Sequence, residues 1–237
     1  MEISAESPSA EIIHERHERI AARLRACAAD AGHDPARLRI VAITKTWPIQ
    51  VARAAFDAGL TLLGESRVQE AEPKVAALPD AEWHFVGRLQ SNKVRRAVRA
   101  FAVIHSVDSL DLLRRIDATA ADEAAAPRLL LQVGLTGSPT TGGLGPEAVL
   151  AAEMLAGLTG LKAARVIGLM TIAAIGAHAE EARATFATLR ELRDRLQEAC
   201  GIPLPELSMG MSADAEAAAA EGATLVRIGT ALFGPRA

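Results

Sequence analysis

Short runs of branched apolar residues recur along the chain, separated by stretches with a helical period. Eight runs stand out: LRIVAI from Leu38, TLLG from Thr61, WHFVG from Trp83, VIHSV from Val103, RLLLQV from Arg128, VIGLMTI from Val166, ELSMG from Glu206 and TLVRIG from Thr224. Each is too short for a buried helix and reads as a buried strand. The intervals are rich in Ala, Leu and Arg. In AEEARATFATLRELRDRLQEAC, from Ala179, the spacing puts Phe186, Leu189, Leu192 and Leu196 on one helical face. Strand and helix alternating in this way predict a parallel α/β sheet, and eight strands with their crossovers predict a closed (β/α)8 barrel of TIM type, which leaves no sheet edge.

The two ends of the chain support closure. After the eighth run only TALFGPRA remains, too little for an ordinary final helix. The chain begins instead with a long amphipathic segment, from about Ser9 to Ala31, that carries Ile13, Ile20, Leu24 and Cys27 on one side and stops at Gly32. This helix is predicted to cover the barrel where the final helix is missing. Residues 1–237 therefore read as one barrel domain, with residues 1–35 forming the helix that packs on it. The Gly- and Thr-rich loop Gly134–Pro146 follows the fifth strand and does not separate two cores.

Composition narrows the function classes. Half of the 237 residues are apolar, the formal net charge is −3 and the pI is near 6.1, which argues against nucleic acid as a partner. The N-terminus is polar and acidic, unlike a signal peptide, and no stretch is apolar enough to span a membrane, so the expected location is cytoplasmic. Cys27 and Cys200 lie far apart without metal-ligand or redox spacing and read as small core residues.

Candidate chemistry begins with Lys45, one of only four lysines, which stands where the first strand run meets TWP. Lys74, Lys93 and Lys162 fall on helix or helix-end segments. Functional groups of such barrels sit at the carboxyl ends of strands. On position alone, Lys45 fits a snorkelling surface lysine as well as a partly desolvated amine that attacks a carbonyl. Two glycine-bearing turns, Gly210–Ser212 after the seventh strand and Gly229–Thr230 after the eighth, have the composition of a phosphate cradle, with Ser212 as candidate cap of the helix that follows. Arg227 lies inside the eighth strand between Val226 and Ile228 and needs a partner if buried.

A lysine for a carbonyl, a cradle for a phosphate and an arginine between them suit pyridoxal 5′-phosphate. The stretches ITKTWP, FDAGLTLLGESRVQE, EWHFVGRLQSNK, HSVDS, GLM, LSMGMSADAEAA and VRIGTALFGPR, in this order, resemble the pyridoxal-phosphate homeostasis protein family, whose fold is similar to the barrel domain of alanine racemase. The resemblance implies that Lys45 forms the internal aldimine, that Ser212, Gly229 and Thr230 hold the phosphate, and that Arg227 hydrogen-bonds the pyridine nitrogen. It also implies that Ser66, Met170 and Met211 lie at the cofactor. Ser66 replaces the family's usual asparagine, so an amide contact there becomes shorter or water-mediated. The loop after the fifth strand reads SPTTGG where many members carry a lysine. His84 reads as a satisfied core histidine, and Asn92 as a residue that caps or orients its loop.

Three functional readings follow. One is a carrier that buffers or delivers pyridoxal phosphate without turnover, with PLP-dependent apo-enzymes as its partners and a monomeric state. Another is a racemase-like enzyme, and the third is a Schiff-base barrel acting on phosphosugars. A racemase needs acid/base groups on both faces of its substrate, and the resembling enzyme supplies a tyrosine from a second domain and subunit. This chain contains no tyrosine, and its length is taken up by the barrel. Carboxylates and tyrosines, which the phosphosugar reading needs at several strand ends, give way here to Gly, Ser, Thr and Met. The carrier reading is therefore the expected one.

Overall fold

The computed structural model describes residues 7–137, 142–174 and 176–235. The SPTTGG loop falls largely outside them, as do the first six residues and the last two of the expected 1–237 domain. Eight parallel strands close into a barrel in chain order: β1 (Arg39–Ile43), β2 (Leu62–Glu65), β3 (Glu82–Phe85), β4 (Val103–Val107), β5 (Arg128–Gln132), β6 (Arg165–Met170), β7 (Glu206–Ser208) and β8 (Leu225–Ile228). The seam is β1 on β8, in register from Arg39 opposite Leu225 to Ala42 opposite Ile228. The (β/α)8 expectation is met, and every expected run contains a strand.

Around the barrel lie α2 (Ile49–Asp57), α3 (Val68–Ala77), α4 (Val94–Ala100), α5 (Leu110–Asp122), α6 (Pro146–Val149), α7 (Ala152–Thr159), α8 (Ala179–Cys200), α9 (Ala215–Ala220) and α10 (Thr230–Phe233). The first helix, α1 (Ala10–Asp30), packs on α9, α2 and α10 and fills the gap left by the one-turn α10. Its N-cap is Ser9, whose Oγ accepts from the Ile12 amide, and it buries Ile13, Ala21, Leu24 and Ala28. Ile20 and Cys27 are half-buried at the edge of this face. In α8 the expected face is buried in full, and Gly201, with φ +68°, ends the helix in the left-handed region that glycine adopts without strain.

β3 and β7 each end two residues before their apolar runs do, and a glycine accounts for each. β3 stops at Phe85 because the loop after β2 crosses at Gly87, where a Cβ would stand 2.0 Å from the Ser66 carbonyl oxygen. β7 stops at Ser208 because Gly210, at φ +87°, turns the chain toward α9. Apolar inward-facing residues form two clusters, Val41, Ile43 and Leu225 on one side, and Val103, Leu130, Ile167 and Met170 on the other. The outward faces pack against the helices in one continuous core.

Candidate cofactor site

The end of β1 is built on a buried ion pair. Thr44, fully buried, donates its Oγ1 hydrogen to Glu65 Oε1 (2.7 Å), while Lys74 Nζ, reaching in from α3, donates to the same oxygen (2.5 Å) and to the Thr44 carbonyl (2.9 Å). Lys74 is thus engaged beneath the strand end, in the layer between sheet and helix. Lys45 follows Thr44 at the mouth and is half-buried, and Thr46 next to it takes φ +67°. A β-branched residue rarely adopts that conformation, and its strain has to be held by the surrounding fold.

Across the seam, β8 delivers Arg227, Gly229 and Thr230. A Cβ on Gly229 would lie 3.5 Å from the Ile43 carbonyl oxygen, so this turn runs directly beside the end of β1. Gly229 is the N-cap of α10, and the first amides of any helix lack partners within it. Ser212, from the loop after β7, reaches this turn: its Oγ accepts from the Ala231 amide at 3.4 Å. Ser212 is not the helix cap that its sequence position suggests. Asp214 occupies the N-cap position of α9, and its carboxylate accepts from the Met211 amide (2.6 Å). A second correction concerns Asn92, which is exposed; Gln90 is the N-cap of its turn and no side chain caps it.

Arg227 is buried, with Nη1 donating to Ser208 Oγ (2.6 Å) and Nη2 to the Thr171 carbonyl (2.9 Å). Burial pulls its pKa down to about 10, opposed by the Asp214 carboxylate, so it remains a cation at neutral pH. Met170 is buried at the end of β6, Ser66 is half-buried after β2, and Met211 is exposed on the β7 loop. The fold thus gathers Lys45, Ser212, Arg227, Gly229 and Thr230 on the adjoining ends of β7, β8 and β1. Met170 and Ser66 stand at the ends of flanking strands, and Met211 lies exposed on the loop after β7.

His84 is the satisfied core histidine expected. Its Nε2 faces Glu82 Oε1 (2.9 Å) and its Nδ1 faces His105 Nε2 (2.8 Å). His105 continues to Ser208 Oγ (2.8 Å). Burial lowers the pKa of both histidines, strongly for His105, where the neighbouring His84 and Arg227 add to the effect. Neither His105 nor Ser208 carried a role in the sequence reading, although both stand in the stretches HSVDS and LSMGMSADAEAA. The signal available was a polar residue at an inward position of a strand.

A strand-end lysine, a serine-and-amide turn across the seam and a buried arginine between them define the class: a barrel of the alanine racemase N-terminal domain type, whose family model matches residues 17–237. Within that class the chain belongs to the pyridoxal phosphate homeostasis protein family. It is 41% identical to the pyridoxal phosphate homeostasis protein of Aquifex aeolicus over 94% of this chain and 97% of the relative. The protein of that name from Pseudomonas aeruginosa is 43% identical over 94% and 96%. Among solved structures, PipY of Synechococcus elongatus with PLP bound superposes with a TM-score of 0.80 at 43% identity, covering 91% of this chain and all of that one.

Proposed function

We propose that this protein binds pyridoxal 5′-phosphate at the open end of its barrel and serves the cell's vitamin B6 homeostasis by buffering or delivering the cofactor, without turning over a substrate. The observation that carries the reading is the convergence of Lys45, Arg227 and the Ser212/Gly229–Thr230 turn on three adjoining strand ends. The donor set fits the group. Lys45 supplies the amine for a covalent link to the aldehyde, the turn supplies a hydroxyl and amides for the phosphate, and Arg227 supplies a charged donor for the pyridine nitrogen. When bound, the cofactor supplies an electron sink for amino-acid chemistry. A permanent cation at the ring nitrogen disfavours protonation there and weakens that sink, which suits a carrier better than a racemase. Ser66, Met170 and Met211 belong to the walls of the same mouth.

The whole chain acts as one barrel domain, monomeric and cytoplasmic, with apo-enzymes that require the cofactor as its recipients. Among the described residues no helix is long and apolar enough to cross a membrane, and no cluster of His, Cys, Asp or Glu could hold a metal ion. The test is borohydride reduction of protein loaded with pyridoxal phosphate, followed by peptide mass mapping. A pyridoxyl mass on the Lys45 peptide is expected, absent in Lys45→Ala. Label confined to Lys74, Lys93 or Lys162 would sink the assignment.

A further inference from the structure

A chain of four hydrogen bonds threads the barrel from Arg227 at the open end to Glu82 at the closed end. It runs Arg227 Nη1 to Ser208 Oγ (2.6 Å), Ser208 Oγ to His105 Nδ1 (2.8 Å), His105 Nε2 to His84 Nδ1 (2.8 Å) and His84 Nε2 to Glu82 Oε1 (2.9 Å). Its inner members, His84, His105 and Ser208, are at most 1% exposed. No step of the proposed cofactor binding calls on these three or on Glu82.

The direction of every bond in this chain is determined from both ends. Glu82 also pairs with Arg128 (2.6 Å), and its carboxyl is held down to about 2, by the His84 hydrogen bond above all and by Arg128 as well, so it can only accept. His84 must then carry its proton on Nε2, which leaves Nδ1 an acceptor. His105 must donate from Nε2 and accept at Nδ1, and Ser208 must donate to it. From the other end, Arg227 can only donate, so Ser208 Oγ accepts there. The hydroxyl hydrogen has one acceptor in reach among the described residues, His105 Nδ1. The two derivations agree with both rings neutral. A proton added to either imidazole would put a donor against Ser208 and leave the hydroxyl hydrogen without an acceptor, in a place where an unmet polar group is costly. The charged groups around the rings are Glu82, Arg128 and Arg39 toward the closed end and Arg227 toward the open end.

We propose that Glu82 is a positioning residue for Arg227: by fixing the tautomers of His84 and His105 from the far end of the barrel, it locks Ser208 as the acceptor that holds the guanidinium in place for the ligand's ring nitrogen. Removing Glu82 frees His84 to carry its proton on Nδ1. The chain then reverses, and Ser208 receives competing donors from His105 and Arg227. The inference rests on the pyridoxal-phosphate reading for what Arg227 faces, and on the hydrogen bonds alone for the relay.

Two measurements test it. In cofactor-free wild-type protein with nitrogen-15 histidine, long-range proton–nitrogen correlations are expected to show His84 and His105 as neutral Nε2–H tautomers. An Nδ1–H tautomer or an imidazolium at either ring near neutral pH would overturn the relay, and no variant has to fold for this arm. The second arm compares binding of pyridoxal phosphate with its 1-deaza analogue, which has a C–H in place of the ring nitrogen. Glu82→Ala should lose about tenfold of the wild-type preference for the natural ligand, the scale of one charge-assisted hydrogen bond, with little change for the analogue. Glu82→Gln, which keeps an acceptor oxygen, should retain most of the preference. A folded Glu82→Ala with the preference intact, or an equal loss for both ligands, would refute the positioning role. Equal binding of both ligands by wild type would remove the ring-nitrogen reading alone, and the histidine tautomers would still decide the relay.

Discussion

Replacing Lys74 by methionine should be among the most destabilising single changes on this barrel, although the residue lies on a helix. Lys74 is 5% exposed and Glu65 0%, and Glu65 Oε2 already has no protein partner in the fold. Removing the ammonium would leave a buried carboxylate with only the Thr44 hydroxyl as donor and would leave the Thr44 carbonyl with the Trp47 amide (3.1 Å) alone. Breaking a buried pair from one side costs about 3–5 kcal/mol, which at about 2–4 °C per kcal/mol for a chain of this size lowers the melting temperature by about 6–20 °C. Urea unfolding followed by tryptophan fluorescence is the assay. Trp83 is buried, with its Nε1 donating to the Leu78 carbonyl just past α3, so it reports on this layer. The double variant Glu65→Leu/Lys74→Met should recover most of the loss, because an apolar pair replaces the charges together and the Thr44 hydroxyl finds a second acceptor in the Gly64 carbonyl at 3.4 Å. The single variant should also weaken cofactor binding, since the carbonyl that Lys74 holds immediately precedes Lys45. A loss below about 1 kcal/mol for Lys74→Met, or a double variant no better than the single, would refute the reasoning.

Other outcomes follow from named contacts. Gly168→Ala should cost at least about 3 kcal/mol or prevent folding, because its Cβ would stand 1.8 Å from the Glu206 backbone carbonyl, whereas Gly64→Ala meets the end of the Ile43 side chain and should cost about 1–2 kcal/mol by thermal melts. Wild type should be more stable than Glu82→Gln at pH 6. Because the Glu82 carboxyl is depressed in the fold, the difference should vanish as pH falls from about 4.5 to about 2. Part-exposure of Glu82 holds the effect to about 1–2 kcal/mol in acid titrations of stability. Ser212→Ala should weaken pyridoxal phosphate and leave pyridoxal nearly unaffected in equilibrium binding, as a partial lesion because the turn amides survive it. With L-alanine in deuterium oxide, α-deuteration should stay well below about 1 s⁻¹, the lower end of ordinary enzyme turnover; faster exchange would favour the racemase-like reading.

The barrel itself was written in local pattern. Eight apolar runs, the face of α8 carrying Phe186, Leu189, Leu192 and Leu196, and a leading helix with no closing one are features that neighbours within a few residues encode, so they can be read before the chain folds. Lys45 and the turns at Gly210–Ser212 and Gly229–Thr230 were readable for the same reason, since the ends of such runs are where a parallel barrel keeps its chemistry. Partnership was not. That Ser212 serves the Ala231 amide while Asp214 takes the N-cap position follows from how the loops after β7 and β8 meet. That Lys74 is engaged under Thr44 follows from the placement of α3 against β1 and β2. The line from Arg227 to Glu82 joins β8, β7, β4 and β3, and His105 reaches Ser208 from 103 residues away only because the sheet is closed, with register shifts along both edges of β5. Strand period decides which side chains face the barrel axis, but shear and closure decide which of them meet, and no local property of the chain carries that information.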